Sequence, residues 1–536
     1  MFADRPLFAR PPIAVWILAL LAALAHLVPV WHAQSTVEPG WEFTGNLATS
    51  PDYMQYRVWE RRTEFTGPIA DNRFTTEPHS NYLPVLLYWF VGALGRALNQ
   101  PPELVYEWLG APLAAVLVLL VYWCARRFLS SRAAVACVFV ATLCGGGLGA
   151  YLKLAEEKRW FGESASAWLN TRLENAPVWE SYRSHYVCKV LFDTHFLVAW
   201  VFTVVALLAF HAALVRPSAG RHAVAALASI VATLLHPYEG PLLLLIHAVS
   251  FALLRWRGWL DRGRFAACAS AGGATAVSVL ALFALQRQSG LPIPAWRPPD
   301  VSWINVLLAY PLVFVLLARG LREYWRGAGV DELFVLGWGG GCLAMTLSSL
   351  LYPYADRGPT TAQIPLFIVA GAIYFAKRPS LSWTHAAIAL VLMGASAPRD
   401  LLHRWRVSAF DRRRPPVFMA EEHRAVLRAL AERADERSVL LAQPREYRWL
   451  SPEFPGISYH AHFFLTVDFE RKSAEVERFY AQNDPAEQAR SLEQWGIDFL
   501  HVPRAEQPER FAALPGWREL ARAEGGVLFE RERRDE

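Results

Sequence analysis

Cysteine is scarce in this 536-residue chain, and the six present (Cys124, Cys137, Cys144, Cys188, Cys268, Cys342) show no CxxC spacing. Most fall inside apolar runs, which suits small buried hydrophobes and excludes a disulfide framework or a zinc site. Also missing is the ten-residue alternation of apolar and polar positions that marks a membrane β-barrel. No repeat of solenoid period appears, and no two similar halves. A basic stripe is absent too, so nucleic acid is not an expected partner. The first apolar stretch is followed by no small-residue cleavage site, which makes it an anchor rather than a removable signal peptide.

What is present is segregation. Hydrophobic residues make up 54% of the chain and charged residues 19%, with a net charge of +5. The apolar residues gather into stretches such as 13–31 and 192–214, near or above the roughly 20 residues a helix needs to cross hydrocarbon. With barrels excluded, only helices satisfy their backbone polar groups there. Further spans are expected near 109–125, 133–152, 222–236, 240–255, 265–285, 304–319, 331–352, 362–376 and 380–396. The stretch 82–98, interrupted by Arg96, is expected to insert halfway on the external face.

Positive charge is retained on the cytoplasmic side, and this orients the spans. Arg5 and Arg10 put the N-terminus inside and the acidic segment 32–80 outside. The clusters Arg126/Arg127/Arg132, Arg216/Arg221, Arg255/Arg257/Arg262/Arg264, Arg319/Arg322/Arg326 and Lys377/Arg378 then all fall inside. The expected fold is an all-α polytopic membrane bundle of about eleven transmembrane helices plus the half-inserted helix, with a small C-terminal soluble α/β domain. The domain boundaries are 1–396 for the membrane part, 397–420 for a basic amphipathic connector and 421–536 for the external domain. In the last, 421–433 and 473–482 read as helices, and 437–442, 496–502 and 525–532 as strands.

Polar residues at the ends of the apolar stretches are the candidates for chemistry. Asp52, in SPDYMQYRVW, could take a proton from a hydroxyl nucleophile. Ser-Pro-Asp is equally a good helix start, so capping is the competing role. Glu77, His79 and Tyr82 precede the half-inserted helix, as ligands or as interfacial anchors. Asp193 and His195 stand at the outer end of a span, where ionisable groups usually have a partner or a role. His236, Tyr238 and Glu239 lie between prolines that break a helix, and broken helices at membrane depth line cavities. Arg357, beside Asp356, could hold a lipid phosphate bidentately, or form a plain Asp-Arg turn. His460 and His462 have a metal-like H-x-H spacing but no further ligand in sequence, and are expected to be surface histidines.

A first span, a long external loop opening with the D-Y-x-x-Y of Asp52, Tyr53 and Tyr56, and a T-x-E-P-H segment at Thr75, Glu77, Pro78 and His79 together carry a resemblance. The chain resembles the GT-C superfamily of integral-membrane glycosyltransferases, in layout the bacterial lipid A aminoarabinose transferases and protein mannosyltransferases. The motifs cover about the first 130 residues; the architecture covers the membrane region. The resemblance implies transfer of a sugar from a polyprenyl-phosphate-linked donor to a lipid, glycan or protein acceptor. The reaction would take place outside the cytoplasm at a bacterial plasma membrane, with inversion. Asp52 takes the place of the catalytic carboxylate; Glu77, His79, Asp193, His195, His236, Glu239 and Arg357 are the candidates to bind substrate or lipid phosphate. Many members carry paired acids where this chain has Pro51-Asp52. That departure leaves a single base and makes a divalent metal an option rather than a requirement. Two other classes compete: a lipid-linked sugar transporter or flippase, which the lack of repeated halves disfavours, and a non-catalytic envelope assembly protein.

Overall fold

The computed structural model describes residues 10–47, 52–145, 162–164, 187–291, 307, 310–348, 361–376, 402, 404–409, 417–463, 465–523 and 525–532. By contacts the chain divides into two units. The first comprises Met1–Val28, Trp108–Ala281 and Arg297–Arg404; the second comprises Pro29–Glu107, Leu282–Trp296 and Trp405–Glu536.

In chain order the elements up to the end of the membrane part are α1 (Ile13–Thr36), β1 (Trp41–Phe43), α2 (Asp52–Thr66), β2 (Ile69–Ala70), β3 (Leu83–Pro84), α3 (Leu86–Leu98), α4 (Pro102–Phe128), α5 (Arg132–Cys144), α6 (Val187–Val190), α7 (Thr194–Val215), α8 (Ala219–Leu235), α9 (Glu239–Trp256), α10 (Arg262–Gln288), α11 (Pro311–Arg326), α12 (Val330–Leu347) and α13 (Gln363–Ala376). Among the described residues, six of these (α1, α4, α7, α9, α10 and α12) are long and apolar enough to cross a membrane. Another four (α3, α5, α8 and α13) are apolar but shorter. The protein is a multi-pass membrane protein. The expected span 380–396 lies outside the described residues. The span expected from 304 forms a helix from Pro311, because proline suits the first helical position, where its missing N–H is not needed.

The first unit is a helical bundle. Side chains such as Phe210, Phe334 and Trp338 are wholly buried in it. On α1 and α10, Ile13, Trp16, Leu20, Val277 and Leu280 are exposed, as expected of surfaces that face lipid. α7 and α8 start at side-chain caps: Asp193 accepts from the Phe196 N–H, and Ser218 accepts from the Arg221 N–H. α9 and α12 approach closely because α12 carries glycines one turn apart. A Cβ on Gly341 would stand 2.6 Å from Ile246 Cα, and one on Gly337 would stand 2.8 Å from Ser250 Cα. Small residues at such spacing let helix backbones pack where lipid offers no hydrophobic drive.

The second unit contains the remaining elements: β4 (Phe418–Ala420), α14 (Glu421–Arg433), β5 (Val439–Leu441), α15 (Tyr447–Leu450), β6 (Ile457–Ser458), α16 (Phe469–Ala481), α17 (Pro485–Gln494), β7 (Phe499–Pro503), β8 (Trp517–Ala523) and β9 (Gly526–Arg531). A mixed sheet has the order β6-β5-β7-β9-β8; β5 runs parallel to β6 and β7, and β9 is antiparallel to β7 and β8. The first loop is woven into this unit. β1 pairs antiparallel with β4, Trp41 opposite Ala420, and β2 pairs with β3. Phe74, Met54 and Val58 share a hydrophobic cluster with Leu430, Leu440, Tyr447 and Phe499.

Candidate active site

Two sets of contacts hold α2, and with it the position of Asp52. The first is aromatic: Tyr56 stacks on Tyr88 with centroids 4.9 Å apart, and Tyr53 meets Tyr106 edge-on at 6.2 Å. Such pairs add to the burial of the rings themselves. The second is ionic. Arg57 and Arg61, one turn apart, donate to the same Glu103 oxygen at 3.2 and 2.6 Å, and both also face Glu453. The chain leading into the helix is tied down as well, since the Leu47 N–H donates to Glu107 at 3.1 Å.

Glu60, on the same helix, is buried and lacks a hydrogen-bond partner for Oε2 among the described residues. Burial, then the Glu103 charge, push its carboxyl well above the usual range, with Arg57 and Arg61 pulling the other way.

Asp52 is different. It stands in the first turn of α2, where backbone N–H groups favour negative charge, and its side chain is 45% exposed. His462 Nε2 lies 3.5 Å from Asp52 Oδ1. His462 and His460, expected at the surface, are in fact buried. His460 reaches Ser473 Oγ at 2.7 Å and stacks on Phe469; burial, then the Lys472 charge, bring it down to about 4. The expectation fails because burial here comes from tertiary packing, His462 against Phe74 and His460 against Phe469 and Ser473, of which the spacing in the sequence carries no trace.

The T-x-E-P-H segment is built into the same unit. Glu77 pairs with the buried Lys472 at 2.9 Å and accepts from the Thr75 hydroxyl. Burial raises the Glu77 carboxyl, but the hydrogen bonds from Lys472 and Thr75 outweigh it and hold the group below its ordinary value. His79 accepts the Asn72 N–H on Nε2 at 2.9 Å, and its Nδ1 lies 2.7 Å from the Glu77 carbonyl. That pair of contacts suits the neutral ring with the proton on Nδ1. These bonds fasten the loop.

The remaining candidates lie in the first unit. Asp193 caps α7. The next residue but one, His195, has Nε2 at 3.0 Å from His236 Nε2, so one ring donates and the other accepts. His236 Nδ1 is 3.5 Å from Glu239 Oε1, and both side chains are buried. The break between α8 and α9 at His236–Tyr238 makes this possible, because it turns one helix end toward the start of α7. Arg357 lies outside the described residues. A cluster that sequence inspection missed joins His211 and Arg127 to one oxygen of Asp331, at 2.7 and 3.1 Å. Its members belong to three separate helices and share no local motif. Among the described residues no group of His, Cys, Asp and Glu is arranged to hold a metal ion.

No family model and no curated protein matches the sequence. Solved structures do match. The chain is similar to the oligosaccharyltransferase of Archaeoglobus fulgidus in its apo form, with a TM-score of 0.54 and 13% identity over 94% of this chain and 70% of that one. It is also similar to the arabinofuranosyltransferase AftD from Mycobacteria, with a TM-score of 0.50 and 13% identity over 96% of this chain and 40% of that one. ArnT from Cupriavidus metallidurans, bound to undecaprenyl phosphate, aligns over 96% of this chain and 97% of its own length, with a TM-score of 0.48 and 13% identity. At 13% identity the likeness is one of fold: the chain shares the fold of the oligosaccharyltransferase and of the arabinofuranosyltransferase.

Proposed function

We propose that this protein is a membrane glycosyltransferase that moves a sugar from a polyprenyl-phosphate donor to an acceptor hydroxyl on the external face of a bacterial plasma membrane. Asp52 is the general base. It takes the acceptor proton as the acceptor oxygen bonds to the anomeric carbon, and the carbon–oxygen bond to the lipid phosphate breaks on the opposite face, inverting the configuration. Charge grows on the leaving phosphate, where fixed donors help most in a poorly hydrated place. Arg357, His236 and His195 are assigned to that task. Glu239 backs His236. The topology that goes with this reading has about eleven spans, a cytoplasmic N-terminus and an external C-terminal domain.

The observation that carries the reading is the contrast among the acids of α2 and its neighbours within the GT-C fold. Glu60 is buried, Glu77 pairs with Lys472, Glu103 pairs with Arg57 and Arg61, and Asp52 is half-exposed in the first turn of α2.

The test uses the purified protein in proteoliposomes with undecaprenyl-phosphate-linked arabinose, mannose and glucose, following release of undecaprenyl phosphate. Asp52→Asn should lower kcat by about 10²–10⁴-fold with expression and insertion intact. A fully active Asp52→Asn protein removes the base. Cysteine labelling that exposes Asp52 and Arg357 to opposite compartments removes Arg357 from the proposal.

A further inference from the structure

We propose that His462, contributed by the C-terminal segment, is the positioning residue for the Asp52 carboxylate; this rests on the assignment of Asp52 as base. A general base must be held close to one geometry. Misplacement of about 1 Å can cost on the order of 10²-fold in rate. The structure places an imidazole against the Asp52 carboxylate. His462 Nε2 is 3.5 Å from Asp52 Oδ1, with the histidine side chain only 1% exposed.

That imidazole is itself held. The His462 backbone N–H donates to Thr466 Oγ1 at 3.2 Å, and the Thr466 hydroxyl donates to the Phe74 carbonyl at 2.7 Å. The ring stacks on Phe463 with centroids 4.8 Å apart and is 5.8 Å from Phe74. Asn72 Nδ2 donates to the Leu465 carbonyl at 2.7 Å, the Val467 N–H donates to Thr75 Oγ1 at 3.2 Å, and Glu77 grips Lys472. The 459–468 loop and the 72–77 loop thus form one frame, and its product is a fixed donor facing the carboxylate. A ring with a proton on Nε2 can donate to Oδ1 and leaves the rest of the carboxylate to accept the proton of the acceptor. The arrangement reverses the logic of a serine-hydrolase triad, in which a buried carboxylate orients a reacting imidazole. His462 is too deeply buried to meet substrate, so it acts through Asp52. At 3.5 Å the contact does not meet hydrogen-bond geometry in this structure; on this proposal it closes to one when substrate binds.

The experiment compares His462→Phe, which keeps an aromatic ring without a donor, with His462→Gln, whose amide nitrogen falls near the place of Nε2. Each is made in the wild-type and Asp52→Asn backgrounds. The same undecaprenyl-phosphate sugars are used, reading kcat, KM and the melting temperature. Phenylalanine should lower kcat by about 10²-fold with KM within about twofold, and glutamine should recover most of the loss. In the Asp52→Asn background the phenylalanine should cost nothing more, because two residues acting as a unit are not additive. A His462→Phe protein within threefold of the wild-type rate, a glutamine no better than phenylalanine, or full additivity with Asp52→Asn each overturns the proposal. Should phenylalanine lower the melting temperature, the glutamine comparison decides. An inactive Asp52→Asn protein beside an active His462→Phe protein sinks this inference alone. A fully active Asp52→Asn protein, or a wild type that turns over none of the three donors, sinks the functional reading beneath it.

Discussion

Lys472 carries a charge into a place where its side chain is 2% exposed, held there by Glu77 and by the Tyr459 ring, whose centroid is 4.9 Å from Nζ. Removing one member of such a pair strands the other, and the two directions are unequal. Glu77→Ala leaves an ammonium uncompensated in the interior, at a cost of about 3–5 kcal/mol. Lys472→Met leaves Glu77, which is 31% exposed and can hydrate, so the loss should be smaller. The double variant Glu77→Gln/Lys472→Met should recover most of the stability lost in Glu77→Ala. Chemical or thermal unfolding in detergent measures all three, and equal losses for the two single variants would refute the argument. Asp52, Glu77 and His195 could be singled out in the sequence because a polar residue beside a span is conspicuous. Of their partners, His236 and His462 stood out as residues and Lys472 did not, and none of the pairings could be read. His462 lies in a soluble-looking stretch, Lys472 on a helix that reads as solvated, and neither contact leaves a periodicity. Glu77 and His79 illustrate the limit: their residue types stood out, and the hydrogen bonds they make with Lys472, Thr75 and Asn72 left no trace in the sequence.

Among the elements, the long apolar helices and the C-terminal helix Glu421–Arg433 were legible because each satisfies its own pattern locally. The strands of 437–442, 496–502 and 525–532 were legible as well, yet the β1–β4 pairing was not. It is three residues long on each side and joins Trp41 to Ala420, so its stability is wholly tertiary. α17 was missed for another reason: it is short and polar, and its signal is the Asp484 cap ahead of Pro485, which accepts from the Ala486 N–H at 2.9 Å. The glycines of α12 give a prediction at this scale. A methyl on Gly341 would meet Ile246 Cα at 2.6 Å, and that backbone cannot swing aside as a side-chain end can. Gly341→Ala should therefore force α9 and α12 apart at about 1–3 kcal/mol. Gly339→Ala, whose nearest neighbour would be 3.8 Å away, should be close to neutral. Melting temperatures of the two variants in the same detergent check the difference, and equal effects would remove the close-packing account.

For the molecule as a whole, the titrating groups of the second unit set how stability follows pH. His460 is brought down to about 4 by burial and the Lys472 charge, and His501 to about 3 by burial and the neighbouring His423. A depressed histidine binds its proton less readily when folded than when unfolded. Its contribution is therefore complete above about pH 6.5 and is lost as pH falls toward the folded value. For His460 this amounts to about 3 kcal/mol. The Glu77 pair acts in the same sense lower down, since its carboxyl is held below the ordinary value and its contribution disappears only as the medium becomes more acid than that. Glu60 opposes them. Its raised carboxyl stabilises the fold at low pH, and that share declines as pH rises through its folded value. Lowering pH from 7.5 to 5 should thus lower the melting temperature through the histidines while Glu60 resists. His460→Gln/His501→Gln should flatten the drop, and Glu60→Gln, neutral at every pH, should steepen it. A wild-type melting temperature that rises on acidification over this interval, or the same slope in all three proteins, would show that other groups govern the pH response.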